Sequence, residues 1–149
     1  MHQSCCIVLG QVDVTAIYDL PLIDTPVRAG FPSPANDYLE QSLDLTEHLV
    51  KHPNATFYIQ VVGDSMIDYG IFSGDLLVVD RALEARLHDI VIAAIDGELT
   101  CKRLGILNGQ HHLLSGNIAY PPIILTGKEV HIWGVVIHTI HSLRGRVRT

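Results

Sequence analysis

Basic side chains are scarce in this chain of 149 residues. Lys and Arg together number 10 against 16 Asp and Glu, for a formal net charge of −6 at pH 7. Neutralising phosphates takes clustered Lys and Arg, so this balance excludes a generic nucleic-acid binder, and no sequence-specific DNA contact is expected. The one basic cluster is the tail Arg144-Gly145-Arg146-Val147-Arg148, read as a solvated end rather than a phosphate contact.

Cysteine is equally sparse. Cys5 and Cys6 are adjacent and Cys101 stands apart, which makes neither a disulfide framework nor a zinc spacing. A reducing compartment fits, and the expected location is the cytoplasm. The first residues carry no basic leader, and the apolar run Cys5–Gly10 is too short for a signal peptide. No apolar stretch approaches the length that spans a bilayer, so no membrane partner is expected.

Histidine is plentiful, at 9. His111-His112 and the pair His138 and His141 nevertheless lack a supporting ligand set. His88-Asp89 reads as a turn rather than as half of a catalytic pair. Asp64, Asp68, Asp75 and Asp80 are scattered over expected loops without the spacing of a calcium loop. No metal and no other cofactor is expected.

What the chain does have is apolar bulk, 48% hydrophobic against 17% charged residues. That is globular composition, and the length suits one core. The pattern is β. Phe57–Val62 is rich in aromatic and β-branched residues and stops at Gly63. Asp75–Asp80 gives another short strand. Ile90–Ile95 and Glu98–Leu104 flank Asp96-Gly97, a pair suited to a two-residue hairpin turn. Further strands are expected at His111–Leu114, Ile123–Leu125 and Val130–Ile140. Ahead of Gly30 the signals are weak, because Pro21 and Pro26 break the β-formers, and an extended arm with at most one short strand is expected. Asp37–Val50 suggests one or two helical turns capped by Asp44 or Thr46. Many short strands with Gly, Pro and Asp punctuation point to a mostly β domain with a folded-over sheet. Trp133 reads as core or dimer interface.

Two residues carry candidate chemistry. Ser65 sits in the turn Gly63-Asp64-Ser65-Met66, and Lys102 in the β-like run Glu98–Leu104. A serine hydroxyl is a poor nucleophile until a base takes its proton. A lysine amine serves as that base only when neutral, and burial favours the neutral form. In a strand, Thr100 shares the face of Lys102 and can orient the amine. The turn after Gly63 offers the backbone N–H groups of Asp64 and Ser65 to an oxyanion. On spacing alone, ordinary turn chemistry at Ser65 and a solvated strand face at Lys102 remain open.

Four blocks in order narrow the choice: Ala29-Gly30-Phe31-Pro32-Ser33-Pro34-Ala35; Gly63-Asp64-Ser65-Met66 with Gly70-Ile71 and Gly74-Asp75-Leu76-Leu77; Asp89–Ala93 through Asp96-Gly97-Glu98 to Thr100-Cys101-Lys102-Arg103-Leu104; and Asn117–Ile123 with Trp133–Ile137. Together they resemble the LexA/UmuD family of self-cleaving Ser-Lys proteases, on its UmuD-like branch, over roughly residues 17 to 142. The blocks resemble, in turn, the family's cleavage segment, nucleophile block, general-base hairpin and closing strands. The resemblance implies a folded β domain of β-clip type. It makes Ser65 the nucleophile, Lys102 the general base and Ala29-Gly30 the bond cut. The chain then divides into an arm of residues 1–29, a peptidase-like domain over 30–143 and a basic tail over 144–149.

Repressors of the family carry a helix-turn-helix domain ahead of the cut. The residues preceding Gly30 are too few and too β-like for one, so a repressor is rejected. The resemblance therefore implies a homodimer whose self-cleavage is promoted by a RecA filament on single-stranded DNA. The trimmed dimer then serves a UmuC-type Y-family translesion polymerase in the SOS response. Two alternatives are a non-enzymatic polymerase-binding module that keeps the fold and a signal-peptidase-like enzyme. The absence of a membrane anchor weighs against the second. Ser115-Gly116 departs from the family, where a proline often lies nearby. The first dozen residues and the arginine-rich tail have no counterpart.

Overall fold

A computed structural model describes residues 5–12, 19–23, 29–30, 40–127 and 129–144. The strands are β1 (Cys5–Gln11), β2 (Asp19–Ile23), β3 (Glu40–Asp44), β4 (Thr56–Val62), β5 (Leu76–Asp80), β6 (Ile90–Ile95), β7 (Glu98–Leu107), β8 (Gln110–Leu114), β9 (Ile123–Ile124) and β10 (Val130–Ile140). One short helix, α1, covers Leu45–Leu49. The chain divides into two compact units, residues 1–12 with 52–149, and residues 13–51.

The larger unit is one eight-stranded sheet in the order β1-β4-β5-β10-β6-β7-β8-β9. Every pairing in it is antiparallel. Four strands separate β1 from β7 in that order, yet the two pack together. The sheet therefore folds back on itself, as the punctuation of short strands suggests. Ile59 and Val61 of β4, Leu77 and Val79 of β5, Ile92 of β6 and Cys101 of β7 meet Met66 and Ile71 in one core. A second core joins Val91 and Ala93 of β6 to Leu113 and Ile123. Strand β6 is thus buried on both faces, which is why Ile90–Ile95 reads as an unbroken apolar run rather than an alternating one.

The β6–β7 hairpin turns on Asp96 and Gly97, both at positive φ (48° and 84°), as the Asp-Gly pair requires. Asn108-Gly109 repeats the device between β7 and β8, with φ of 51° and 75°. It extends β7 to Leu107, three residues beyond the end that the hydrophobic run suggests.

The amino-terminal third holds more strand than expected. β1 is uncharged and pairs along β4, and β2 pairs with β3 in a two-stranded ribbon within the smaller unit. Pro21 lies inside β2 opposite Ser42. A two-stranded ribbon leaves one side of each strand unpaired, so a proline without an N–H is tolerated there. Of the two expected caps, Asp44 is the one used. Its Oδ1 accepts the N–H groups of Thr46 at 3.0 Å and Glu47 at 3.4 Å.

Candidate active site

Ser65 follows β4 on a turn that the core anchors. Gly63 takes a φ of 108°, which a side chain would resist. Met66 is buried in the first core, and its carbonyl accepts the N–H groups of Tyr69 and Ile71. Ser65 itself is fully buried.

Lys102 reaches the same point from β7. It is 1% exposed and is among the largest fully buried side chains. Its Nζ donates to Ser65 Oγ at 3.4 Å. Thr100, two residues earlier on the same strand face, is buried as well. Burial pushes the Lys102 amine below its ordinary pKa, while the thiols of Cys101 and Cys6 act weakly the other way. The Cys101 thiol is itself held protonated, since burial pushes its pKa far up. Among the described residues no ion pair joins Lys102 to a carboxylate. The arrangement is a buried amine, with no acidic partner among the described residues, within reach of a buried hydroxyl. Burial favours the uncharged amine, which can pass a proton between nitrogen and oxygen.

A loop between β8 and β9 clamps the serine turn. The Gly116 N–H donates to the Ser65 carbonyl at 2.6 Å, and the Asp68 N–H to the Gly116 carbonyl at 2.7 Å. Asn117 Nδ2 donates to the Asp64 carbonyl at 3.1 Å. Tyr120 Oη donates to Asp64 Oδ1 at 2.8 Å, which raises the phenol's pKa. The Tyr120 ring lies 5.9 Å from Lys102 Nζ. In a trans peptide the N–H opposes the preceding carbonyl, so the Ser65 N–H points away from Asn117. A Cβ on Gly116 would lie 2.7 Å from the Tyr69 ring and 3.1 Å from the Met66 backbone. A side chain at position 116 would force these neighbours to shift.

Sequence reasoning assigns no role to Gly116, Asn117 or Tyr120. Asn117 and Tyr120 lie in the fourth block, but as a clamp and not as strand: residues 115–122 form a loop, and only Ile123–Ile124 and β10 are strands there. Asp75 lies on the loop as expected, immediately before β5, whereas Asp80 is the last residue of that strand; both side chains are buried. His88-Asp89 forms a turn in which Asp89 Oδ2 accepts the Arg86 N–H at 2.8 Å. Trp133 packs against the first core, edge-on to Phe57, with the Arg81 guanidinium 4.4 Å from its ring centre.

Ala29 and Gly30 form an exposed turn in the connection between β2 and β3, with Gly30 at a φ of 90°. Phe31–Ala35 and the tail beyond Arg144 lie outside the described residues. No cluster of three or more His, Cys, Asp or Glu suited to a metal ion occurs among the described residues. No helix among them is long and apolar enough to cross a membrane.

A profile of the Peptidase S24-like family matches residues 21–137. The chain belongs to the Peptidase S24-like family. It is 48% identical to Protein SamA of Salmonella typhimurium over 124 residues, covering 83% of this chain and 86% of that protein. It is 45% identical to Protein ImpA of Escherichia coli over 134 residues, 85% and 87% of the two chains. Protein MucA of Escherichia coli is 42% identical over 126 residues, 83% and 86%. These matches bear out the resemblance to UmuD-like proteins and place the chain in a family of peptidases.

Proposed function

We propose that the chain is a serine endopeptidase that cuts its own Ala29-Gly30 bond with Ser65 and Lys102. The observation that carries this reading is the buried Lys102 amine, 3.4 Å from Ser65 Oγ. The separation is longer than a tight hydrogen bond, as is common before substrate closes the site. In the reaction, the neutral amine takes the Ser65 hydroxyl proton as Oγ attacks the Ala29 carbonyl. The oxyanion is held by backbone N–H groups at the turn, those of Asp64 and Ser65. The C–N bond then breaks, and Lys102 returns the proton to the Gly30 amine. Water resolves the acyl-enzyme by the reverse proton path. Thr100 orients the amine.

In this reading residues 1–29 are the removed arm, 30–143 the peptidase-like domain and 144–149 a basic tail. The protein acts in the cytoplasm as a homodimer. A RecA filament on single-stranded DNA stimulates the cut by favouring the docked arm and the neutral amine, a population shift. The processed dimer is an accessory subunit of a UmuC-type translesion polymerase in SOS mutagenesis. Membership of the family and similarity to UmuD-like proteins support the role.

The test is intact mass after incubation at mildly alkaline pH, and again with RecA, single-stranded DNA and nucleotide. The expected product begins at Gly30 and is missing in Ser65→Ala and Lys102→Ala. A chain that stays whole under every condition overturns the peptidase reading and leaves a polymerase-binding module.

A further inference from the structure

Strand β1 lies on the amino-terminal side of Ala29-Gly30, yet it belongs to the same compact unit as the Ser65 turn. It pairs with β4 from Cys5 opposite Val62 to Gln11 opposite Phe57, with one shift of register between Val8 and Gly10. Past its end, the buried Val12 donates its N–H to the Thr56 carbonyl at 3.0 Å. Gln11 Nε2 donates to the Asn54 carbonyl at 2.9 Å. Cys6 packs on the core that contains Ile59, Val61 and Cys101. The whole segment Cys5–Val12 is uncharged.

Strand β4 has two ladder sides. One pairs with β5 over Thr56–Gln60, and the other pairs with β1. The outer row of β4 N–H and C=O groups thus depends on β1 for its partners, and the core beneath depends on it for cover. An edge emptied of such a strand is a template for another.

We propose that the outer edge of β4 is a strand-accepting site. β1 fills it in the intact chain and stays on it after scission. It can then be exchanged for an extended, uncharged strand of a partner polypeptide. The proposal rests on the self-cleavage reading, because scission between Ala29 and Gly30 turns β1 from a tethered strand into a bound peptide. Tethering keeps the effective concentration of β1 high and shuts out competitors; cutting removes that advantage while every β1–β4 contact remains. β1 itself specifies the ligand class. The incoming strand runs antiparallel to β4, carries a small apolar side chain where Cys6 meets the core, and has no charge along its length. Its carboxy-terminal end lies at Thr56 and its amino-terminal end at Val62, three residues from Ser65. A strand docked here therefore abuts the reacting turn.

The test uses the full chain with residues 24–28 replaced by the recognition sequence of a site-specific protease and with Ser65→Ala, so that the cut comes from outside. The probe is a labelled peptide of residues 4–12 under reducing conditions. Native mass spectrometry is expected to show the amino-terminal piece held one to one after cutting. Fluorescence anisotropy is expected to show the probe binding the cut chain at least about tenfold more tightly than the uncut chain. A Cys6→Asp probe is expected to bind neither. Loss of the piece on cutting with no probe binding overturns the proposal. So does equal binding to cut and uncut chains, or equal binding of the Cys6→Asp probe. The self-cut product of the unaltered chain gives a second sample for the same readouts. Since the protease supplies the cut, failure here leaves the Ser65–Lys102 reading standing, and that reading fails only on its own test.

Discussion

The two ends of β5 and the Ser65–Lys102 site both bury groups that carry charge in water, and they handle it in opposite ways. At β5, Asp75 and Asp80 are buried and fully engaged. Asp75 accepts the Phe72 N–H at 2.9 Å, the Thr139 hydroxyl at 3.2 Å and the His141 ring. Asp80 accepts the Ala82 N–H at 2.8 Å and the His52 ring. Each histidine is about half exposed while its carboxylate is 1% exposed, so each pair runs from surface to interior. Lys102 is just as buried but has a hydroxyl 3.4 Å away where an acid would stand. A buried charge with a complete set of partners builds structure. A buried amine without an acid is driven toward neutrality, which is the state a general base needs.

The sharpest way to break this contrast is to remove the reacting groups. Ser65→Ala is expected to abolish self-cleavage, and Lys102→Ala to slow it by about 10²–10⁴-fold, read by intact mass. Lys102→Arg is expected to be as inactive as Lys102→Ala, because a guanidinium does not deprotonate. In the unaltered chain the rate should rise from pH 7 toward 10 and level off below the free-lysine value of about 10.4. A rate flat over that range counts against a lysine base.

Stability should move in opposite directions at the two regions. Asp75→Ala leaves the Phe72 N–H and the Thr139 hydroxyl unpaired and is expected to cost roughly 3 kcal/mol by urea denaturation. Lys102→Met is expected to stabilise the chain at pH 7 by about 1–2 kcal/mol. The sign follows from the lowered amine pKa. Between the folded and unfolded values the unfolded chain binds the extra proton, so wild-type stability rises with pH across that window. The advantage of Lys102→Met therefore shrinks as pH approaches the unfolded value. The smallest effect is expected for Tyr120→Phe. It loses the hydrogen bond to Asp64 but keeps the ring near Lys102, and should slow cleavage by about 2–10-fold.

Much of this was legible in the sequence where one local rule decided the outcome. Asp96-Gly97 announces its hairpin because both positions need positive φ, and Phe57–Val62 announces a strand that ends at Gly63. The pairing of Ser65 with Lys102 was legible only through the order of four blocks, since the turn and the strand each have a commoner reading. The clamp was not legible. Asn117 and Tyr120 act through contacts with Asp64 across more than fifty positions of sequence, and no local pattern encodes that. Nor was β1, because a short uncharged run reads as a strand only once β4 is there to pair with it. Pro21 misled for a related reason: it argues against a central strand and is silent about a two-stranded ribbon.

The most direct test of the central claim is the titration of Lys102 itself, followed at Nζ by heteronuclear NMR in the uncut Ser65→Ala chain. The account predicts a midpoint clearly below the free-lysine value of about 10.4. A midpoint at or above that value would contradict it, since Lys102 would then be an ordinary cation at neutral pH with no capacity to take the serine proton.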